Sequence, residues 1–544
     1  MILRQVPPLT PGYFVILVLS LCVFIPTACR QQPATRMTET TPLLSLPLEN
    51  DIQTLDPAQL SDPFTSRVVW QIYEGLVGLD VDGRPVPLLA ESWTPSDDRR
   101  VWTFRLRSGV YFHESEVFGP GSKSRTVRAE DVRYSYLRFA KGFGSFVFSG
   151  LVEGLDDFVA GRTTSVSGFV AANDREFQVR LAHPDPAFIH RITSPYLCIM
   201  PREAVERNPD SFGRSVAVGT GPFRLATRTD TTVALEPNPT YWGRRPNKLI
   251  RVAFRVEKNP QIRMAQIEQG AYGLGVLPVA FQSRFLAQGR LRQEWETRFN
   301  LYRARTFNVH YLGIDTKRVP NVLLRRAIAM AVNKRAIVDG LLGGSARIAN
   351  ELVPPDLQGF EAPGSLPFDV AAARRELTRS GYRGKKLLLL VSDAPSHEAV
   401  AELLQAHLGE VGIGVELQRV DLNTLISRLF STNRPDLFLV FSEWVFSAPE
   451  LILESYRSTR VPNPNLTGYS NRKVDDLITQ ALAATDRGAI NRLCQEAARL
   501  ASSEAPLVPL YHLDSVFLVD RRYTGFSVNG HQYWDLSSVQ VAGN

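Results

Sequence analysis

The sequence predicts a mixed α/β protein divided into two or three lobes, and three observations carry that expectation. Strand-like and helix-like stretches interleave along the whole chain, as they do where helices cover sheets. The consecutive stretches "KKLLLLVSD", "AVAELLQAHLGEVG" and "IGVELQRVD" read as strand, helix and strand, which implies locally parallel pairing. At 544 residues the chain also exceeds what one hydrophobic core ordinarily organises.

From the N-terminus, "MILRQVPPLTPG" carries Arg4, and "YFVILVLSLCVFI" then supplies thirteen nearly continuous apolar residues before "PTAC". A basic start, an apolar stretch of about 7–15 residues and a small residue before the cut describe an export signal. A membrane span needs about 20. Residues 1–28 therefore read as a signal peptide, and the Ala28-Cys29 ending resembles a bacterial lipoprotein signal with acylation at Cys29. A plain secretory signal and an uncleaved anchor are the alternatives. Residues 29–46 are polar and turn-rich and read as a tether. "VWTFRLRSGVYF" then alternates as a strand does, and "AEDVRYSYLRFAKG" follows as an amphipathic helix. "EFQVRLAHPDPAF" is a strand closed by prolines, and "TVALEPNPTYWGRRP" a strand running into a turn. "VLLRRAIAMAVNKRAIVDGLLGG" is a helical pair ending at Gly343-Gly344. The tail returns to strands in "SVFLVD" and "GFSVNG".

Composition excludes several classes. Hydrophobic content of 44% with 22% charged residues is that of a globular protein. The net charge of +7 comes from scattered arginines and forms no block, so nucleic acid is not an expected partner. Cys22 falls in the N-terminal apolar stretch. Cys198 and Cys494 sit in apolar and helical surroundings and read as buried thiols, with a bridge between them left open. No GxSxG, HExxH, P-loop or complete dinucleotide motif occurs. His397-Glu398 begins like a zinc signature, but Ala401 stands where the second histidine belongs, and Gly219-Thr220-Gly221-Pro222 lacks a third glycine and reads as a tight turn. No catalytic residue, metal or cofactor is expected.

The stretch from "LDPAQLSDPFTSRVVWQIYEGLVGL" to "VWTFRLRSGVYFHES" resembles the opening of the family 5 extracellular solute-binding proteins. These are the oligopeptide- and dipeptide-binding receptors of ATP-driven (ABC) importers. The resemblance continues in order through "VGTGPFRL", "PNPTYWGRRP", "YLGIDTKRVPNVLLRRAIAMAVNKRAIVDGLLGG", "FDVAAARRELTRSGY", "GYSNRKVDDLITQA" and "EAPLVPLYH". It implies a periplasmic binding protein-like (type II, cluster C) clamshell: two lobes joined by a hinge, with an extra subdomain packed against the first. On that pattern, residues 47–64, 195–300 and 514–544 form lobe I, 65–194 the accessory subdomain and 301–513 lobe II.

The resemblance also directs attention to "SEWVFSAPE", residues 442–450. In peptide-binding relatives, a Trp here is followed three residues later by an Asp that meets the ligand's amino terminus. Aligned on Trp444, Ser447 takes the Asp position, and a hydroxyl does not neutralise a buried ammonium. Glu443 or Glu450 is a possible substitute. Trp444 and Phe446 read as ligand wall or, alternatively, as lobe core. Gln59, Leu60 and Ser61 are expected to line the first lobe, and Asn308, Val309 and His310 to enter the second beside a crossing segment.

The expected function is capture of a peptide or other small solute by a monomer lipid-anchored at Cys29. It would work at the periplasmic or extracellular face of the cytoplasmic membrane and hand its ligand to ABC permease and ATPase subunits. A sensor or structural lipoprotein of the same fold is one alternative, motivated by the missing carboxylate; an extracellular hydrolase is another.

Overall fold

The computed structural model describes residues 43–542, apart from 61–62, 143–146, 195, 244–249, 288, 356 and 445. The expected signal peptide, Cys29 and most of the expected tether lie outside the described residues.

The last tether residues have a different fate from the one the sequence suggested. Leu43–Leu48 is a strand that pairs in parallel with Arg251–Val256. Leu44, Leu46 and Leu48 point into the core, and their alternation outweighs the turn-rich residues before them. Arg251–Val256 continues antiparallel to Thr232–Pro237, which pairs with Phe223–Arg228. Packed against this sheet is a second antiparallel one, in the order Ala90–Pro95, Val101–Leu106, Glu176–Arg180 and Phe169–Asn173, covered by helix Ala129–Ala140. One continuous core joins the two sheets, from Leu46 and Phe254 to Phe104, Tyr136 and Phe177. The Gly219-Thr220-Gly221 turn lies against the end of helix Pro63–Ile72: a Cβ at Gly219 would meet the Ile72 carbonyl oxygen at 2.1 Å. The two glycines permit that backbone approach, and nothing there cradles a nucleotide.

The other half is organised by a six-stranded sheet whose strands all come from residues 308–513. Its order is Ala346–Ile348, Leu507–Leu513, Asn308–Ile314, Leu437–Glu443, Leu387–Ser392 and Val415–Val420. The last three strands are mutually parallel and the rest antiparallel. Both faces are covered. Leu437 and Leu439 enter one core and Phe438 and Val440 the other, and Leu389 and Leu390 divide likewise. That is why "LLLLV" and "DLFLVF" are unbroken apolar runs rather than alternating ones. Helix Pro395–Val411 closes the first face through Val400, Leu404, Leu408 and Val411. Helices Arg472–Ala483 and Arg487–Glu504 close the other. Asn471 and Asp486 start them by accepting from backbone amides. Cys198 and Cys494 are both buried, and no disulfide joins them.

Two segments cross between the halves. Phe299–Ala304 belongs to a three-stranded sheet with Ser515–Asp520 and Leu274–Val276, and the chain then passes into Asn308–Ile314. Leu507–Leu513 runs the opposite way into Ser515–Asp520. Thr306 and Asn308 tie the crossings together. The Thr306 hydroxyl donates to the Leu513 carbonyl at 2.6 Å, and Asn308 Oδ1 accepts from the Leu513 amide at 3.0 Å.

Candidate functional site

A cavity of about 630 Å³ opens beside these crossings, bounded by segments from both halves. From the first half comes the turn Asp80–Arg84, in which Asp80 Oδ1 accepts from the amides of Asp82 and Arg84 at 2.9 and 2.8 Å. Gly83 holds φ +76°, and a Cβ there would strike the Phe307 ring at 2.7 Å. The turn is therefore seated directly on Phe307, whose amide donates to Gly530 and whose ring meets His531 edge-on at 4.9 Å.

The opposite wall is polar and basic. Arg347 is held by Asp514, with Nη2 to Oδ1 at 2.8 Å and Nε to the same oxygen at 3.1 Å. Arg487, at the first position of its helix, is held by the buried carboxylate of Glu450 at 2.8 Å. Its other branch donates to Gln358 Oε1 at 2.9 Å. Gln358 sits at φ +50° in the loop that follows Pro354-Pro355, and its Nε2 bonds the Ser447 carbonyl and lies 3.2 Å from His190 Nδ1. His190 Nδ1 is also 3.3 Å from the Ser447 hydroxyl. Burial, reinforced by the Arg487 charge, holds the His190 pKa down to about 4, so its imidazole is neutral near pH 7.

Next to the cavity the halves make a second contact. Arg191, paired with Asp185 at 2.9 Å, reaches Glu454 at 3.4 Å, and Glu454 is also held by Arg460 at 2.8 Å and Arg457 at 3.2 Å. Burial alone would raise the Glu454 pKa, but Arg191 and Arg460 outweigh it and leave the carboxyl below its ordinary value. The Phe446 ring lies 5.5 Å from the Arg191 guanidinium, and Ala187 packs on Ala448 and Leu451. The arrangement borders a space between the two halves, with arginine and glutamine donors set among apolar residues such as Phe307, Pro354 and Leu357.

Residues 84–459 match the family of bacterial extracellular solute-binding proteins, family 5 Middle, which is more than half of the chain. The chain belongs to that family.

This family 5 protein is similar to the dipeptide-binding protein DppE of Bacillus subtilis, at 26% identity over 88% of this chain and 89% of that one. It is also similar to the glutathione-binding protein GsiB of Escherichia coli, at 25% identity over 88% and 90%. Among solved structures, DppA from Helicobacter pylori in complex with the peptide STSA superposes with a TM-score of 0.75. It covers 92% of this chain and 98% of its own at 22% identity. The E. coli murein tripeptide binding protein MppA also gives 0.75, at 21% identity over 93% and 99%. The fold is thus the two-lobed α/β architecture that the resemblance implied. By its family the protein is a bacterial extracellular solute-binding protein.

None of the described residues singled out in the sequence lines the cavity itself. Ser447 comes nearest: it is fully buried, and both its hydroxyl and its carbonyl touch cavity residues. Trp444 is half-buried against the second-lobe core, and its Nε1 donates to the Leu352 carbonyl at 3.0 Å. Glu443 accepts from Gln532 at 2.7 Å, and burial raises its pKa despite that bond. Asn308 clamps the crossings, Val309 is core, and His310 stacks on Tyr511 at 4.4 Å. Leu60 is core, Gln59 is exposed, and Ser61 lies outside the described residues. Arg84, His190, Arg347, Gln358 and Arg487 were not found from sequence. They lie on four separated segments, and nothing in the local pattern around each one marks it.

Proposed function

We propose that this protein captures a peptide or similar small solute in the cavity between its lobes, closes over it, and presents the closed form to the permease and ATPase subunits of its importer. The observation that carries this is a cavity of about 630 Å³ bounded by both halves, within the size range of ligand sites, about 300–1,000 Å³. Residues 47–64, 195–300 and 514–544 would act as lobe I, 65–194 as the accessory subdomain and 301–513 as lobe II, pivoting at the clamped crossings. Ser447, Phe446 and Trp444 would shape the wall behind Gln358. Ligand binding shifts the open and closed populations only by its preference for the closed state. Working as a monomer, the receptor would be held at the outer face of the cytoplasmic membrane by acyl chains on Cys29. Because one chain binds membranes only marginally, several are required.

The test is to purify the soluble body under native conditions, identify what leaves it on denaturation by mass spectrometry, and add that compound back during small-angle scattering. A contraction on binding is expected. A compound that binds without contraction would favour a non-transport role, and chemical turnover of the compound would favour the hydrolase.

A further inference from the structure

Resting on the reading of a receptor anchored at Cys29, we propose that the face of lobe I beside the tether's entry docks on anionic phospholipid headgroups and so sets the receptor's orientation on its membrane. A concave space of about 380 Å³ lies on that face, lined by Gly270, Thr297, Asp520 and three arginines, Arg298, Arg521 and Arg522. Gly270 ends helix Pro260–Gln269 at φ +78°. A Cβ there would stand 2.8 Å from Arg298 Nη2 and 3.3 Å from Arg522 Nη2, so two guanidiniums converge on bare backbone. Asp520 is paired with Arg522 at 2.9 Å. Arg521 Nη1 donates to the Glu296 carbonyl at 2.9 Å, and the Arg298 guanidinium lies over the Phe299 ring at 5.3 Å. Neither Arg298 nor Arg521 has a carboxylate partner among the described residues, and Glu268 on the adjoining helix is held by Arg284 at 2.6 Å. Counting the exposed Glu296 carboxylate as well as Asp520 still leaves the surface positive.

The chain enters the fold one side chain away from this cluster. The Arg522 guanidinium lies 5.7 Å from the Tyr523 ring, and the Tyr523 hydroxyl donates at 3.1 Å to the carbonyl of Leu43, the first residue of the first strand. Residues 29–42 number 14 and carry Arg30 and Arg36 against Glu39. Fully extended they reach about 50 Å at most. Acyl chains on Cys29 would therefore keep this edge of lobe I close to the bilayer, and docking becomes an intramolecular step. Each arginine within a Debye length of an anionic surface then multiplies the docked population about fivefold. A lipid phosphate also accepts charge-assisted guanidinium bonds. Arg521 and Arg522 tie down carbonyls at the ends of two helices, Glu296 and Gly270, a task in which Arg298 has no part.

The test uses the full chain, expressed with its own N-terminus and reconstituted on vesicles of phosphatidylcholine alone or mixed with phosphatidylglycerol. Amide hydrogen exchange around Gly270, Arg298 and Arg521 is expected to slow about fivefold on the anionic vesicles at low salt and to recover at high salt. The double variant Arg298→Gln/Arg521→Gln should abolish the slowing. It removes one bond to a backbone carbonyl and no ion pair, so its melting temperature should match the parent's. Arg522 is kept because it pairs with buried Asp520. Equal slowing on neutral vesicles, or slowing that survives high salt or the double variant, overturns the headgroup contact. Equal slowing by inorganic phosphate on neutral vesicles would make the space a site for soluble anions, against the proposal. Mass spectrometry of the N-terminus reads the anchor separately. Acylated Cys29 without slowing overturns the docking surface alone, whereas unmodified Cys29 overturns the anchored receptor and the docking with it.

Discussion

At the scale of single residues, the candidate site turns on side chains whose partners are distant in sequence. Ser447 is the clearest. Its position was marked by an absent carboxylate, and its surroundings give that absence a structure, a contact with His190 and Gln358. Ser447→Asp would set a buried anion beside the imidazole, so the His190 pKa should climb from about 4 toward or past its ordinary value. Histidine NMR titration checks this, and an unmoved resonance would mean that the two side chains do not meet. Trp444 was legible as either wall or core, because an aromatic after a strand serves both purposes. The structure gives it a packing share and a hydrogen bond to Leu352, just ahead of the Gln358 loop. Trp444→Ala is therefore expected to lower stability by about 2 kcal/mol, read as a fall in melting temperature, with weaker ligand binding as a consequence. Gly83→Ala adds a methyl group against Phe307 at a positive φ. It should lower affinity through poorer closure and also lower the melting temperature, by roughly the 1 kcal/mol or more that a methyl group at a positive φ costs. Unchanged affinity would show that the Asp80–Arg84 turn does not seat on the crossing when the ligand is held.

At the scale of elements, the strands and helices named from the sequence were readable because their periodicity is local. "KKLLLLVSD" is Leu387–Ser392, "AEDVRYSYLRFAKG" contains Ala129–Ala140, and the strand-helix-strand unit is parallel as its order implied. One boundary missed was the start of the fold, where Leu43–Leu48 is a strand whose partner lies about 200 residues away, at Arg251–Val256. The short helix Phe188–Ile192 carries the other feature no local pattern announced, the Arg191 bridge to Glu454 across the two halves. Breaking a buried ion pair leaves a charge without its partner, typically a loss of about 3–5 kcal/mol. Glu454 keeps Arg457 and Arg460, so Asp185 bears most of the loss. Arg191→Met is thus expected to shift the molecule toward the open form and speed ligand release. A larger radius of gyration at saturating ligand and a faster off-rate would show it; identical values would mean the bridge plays no part in closure.

At the scale of the whole molecule, the buried imidazoles predict a pH dependence. Burial first holds His113, His190, His512 and His531 down to about 4 and His310 to about 3. Their unfolded value is about 6.5. Because the folded values are depressed, their contribution is full above pH 6.5 and is lost as pH falls toward 4. Glu74 and Glu351 act in the opposite sense. Burial raises both to about 7, so their contribution is full below the ordinary carboxylate value and is lost as pH rises to 7. The five imidazoles outweigh the two carboxyls, and the melting temperature should be lower at pH 4.5 than at pH 7. A melting temperature equal or higher at pH 4.5 would contradict the burial of these imidazoles.

By itself the sequence determined the class of the molecule: an α/β body, a locally parallel strand-helix-strand unit, and a family resemblance spread over collinear blocks. Those properties are written in neighbouring residues, through side-chain period, caps and turns, and survive without knowledge of what folds against what. Only the tertiary structure decided where the cavity lies and which side chains line it. Arg84, Arg347 and Arg487 are ordinary surface-type residues in the chain, and they converge only after two crossing segments bring separate cores together. A cavity exists between elements, so the charges that define it have no period for a sequence to display.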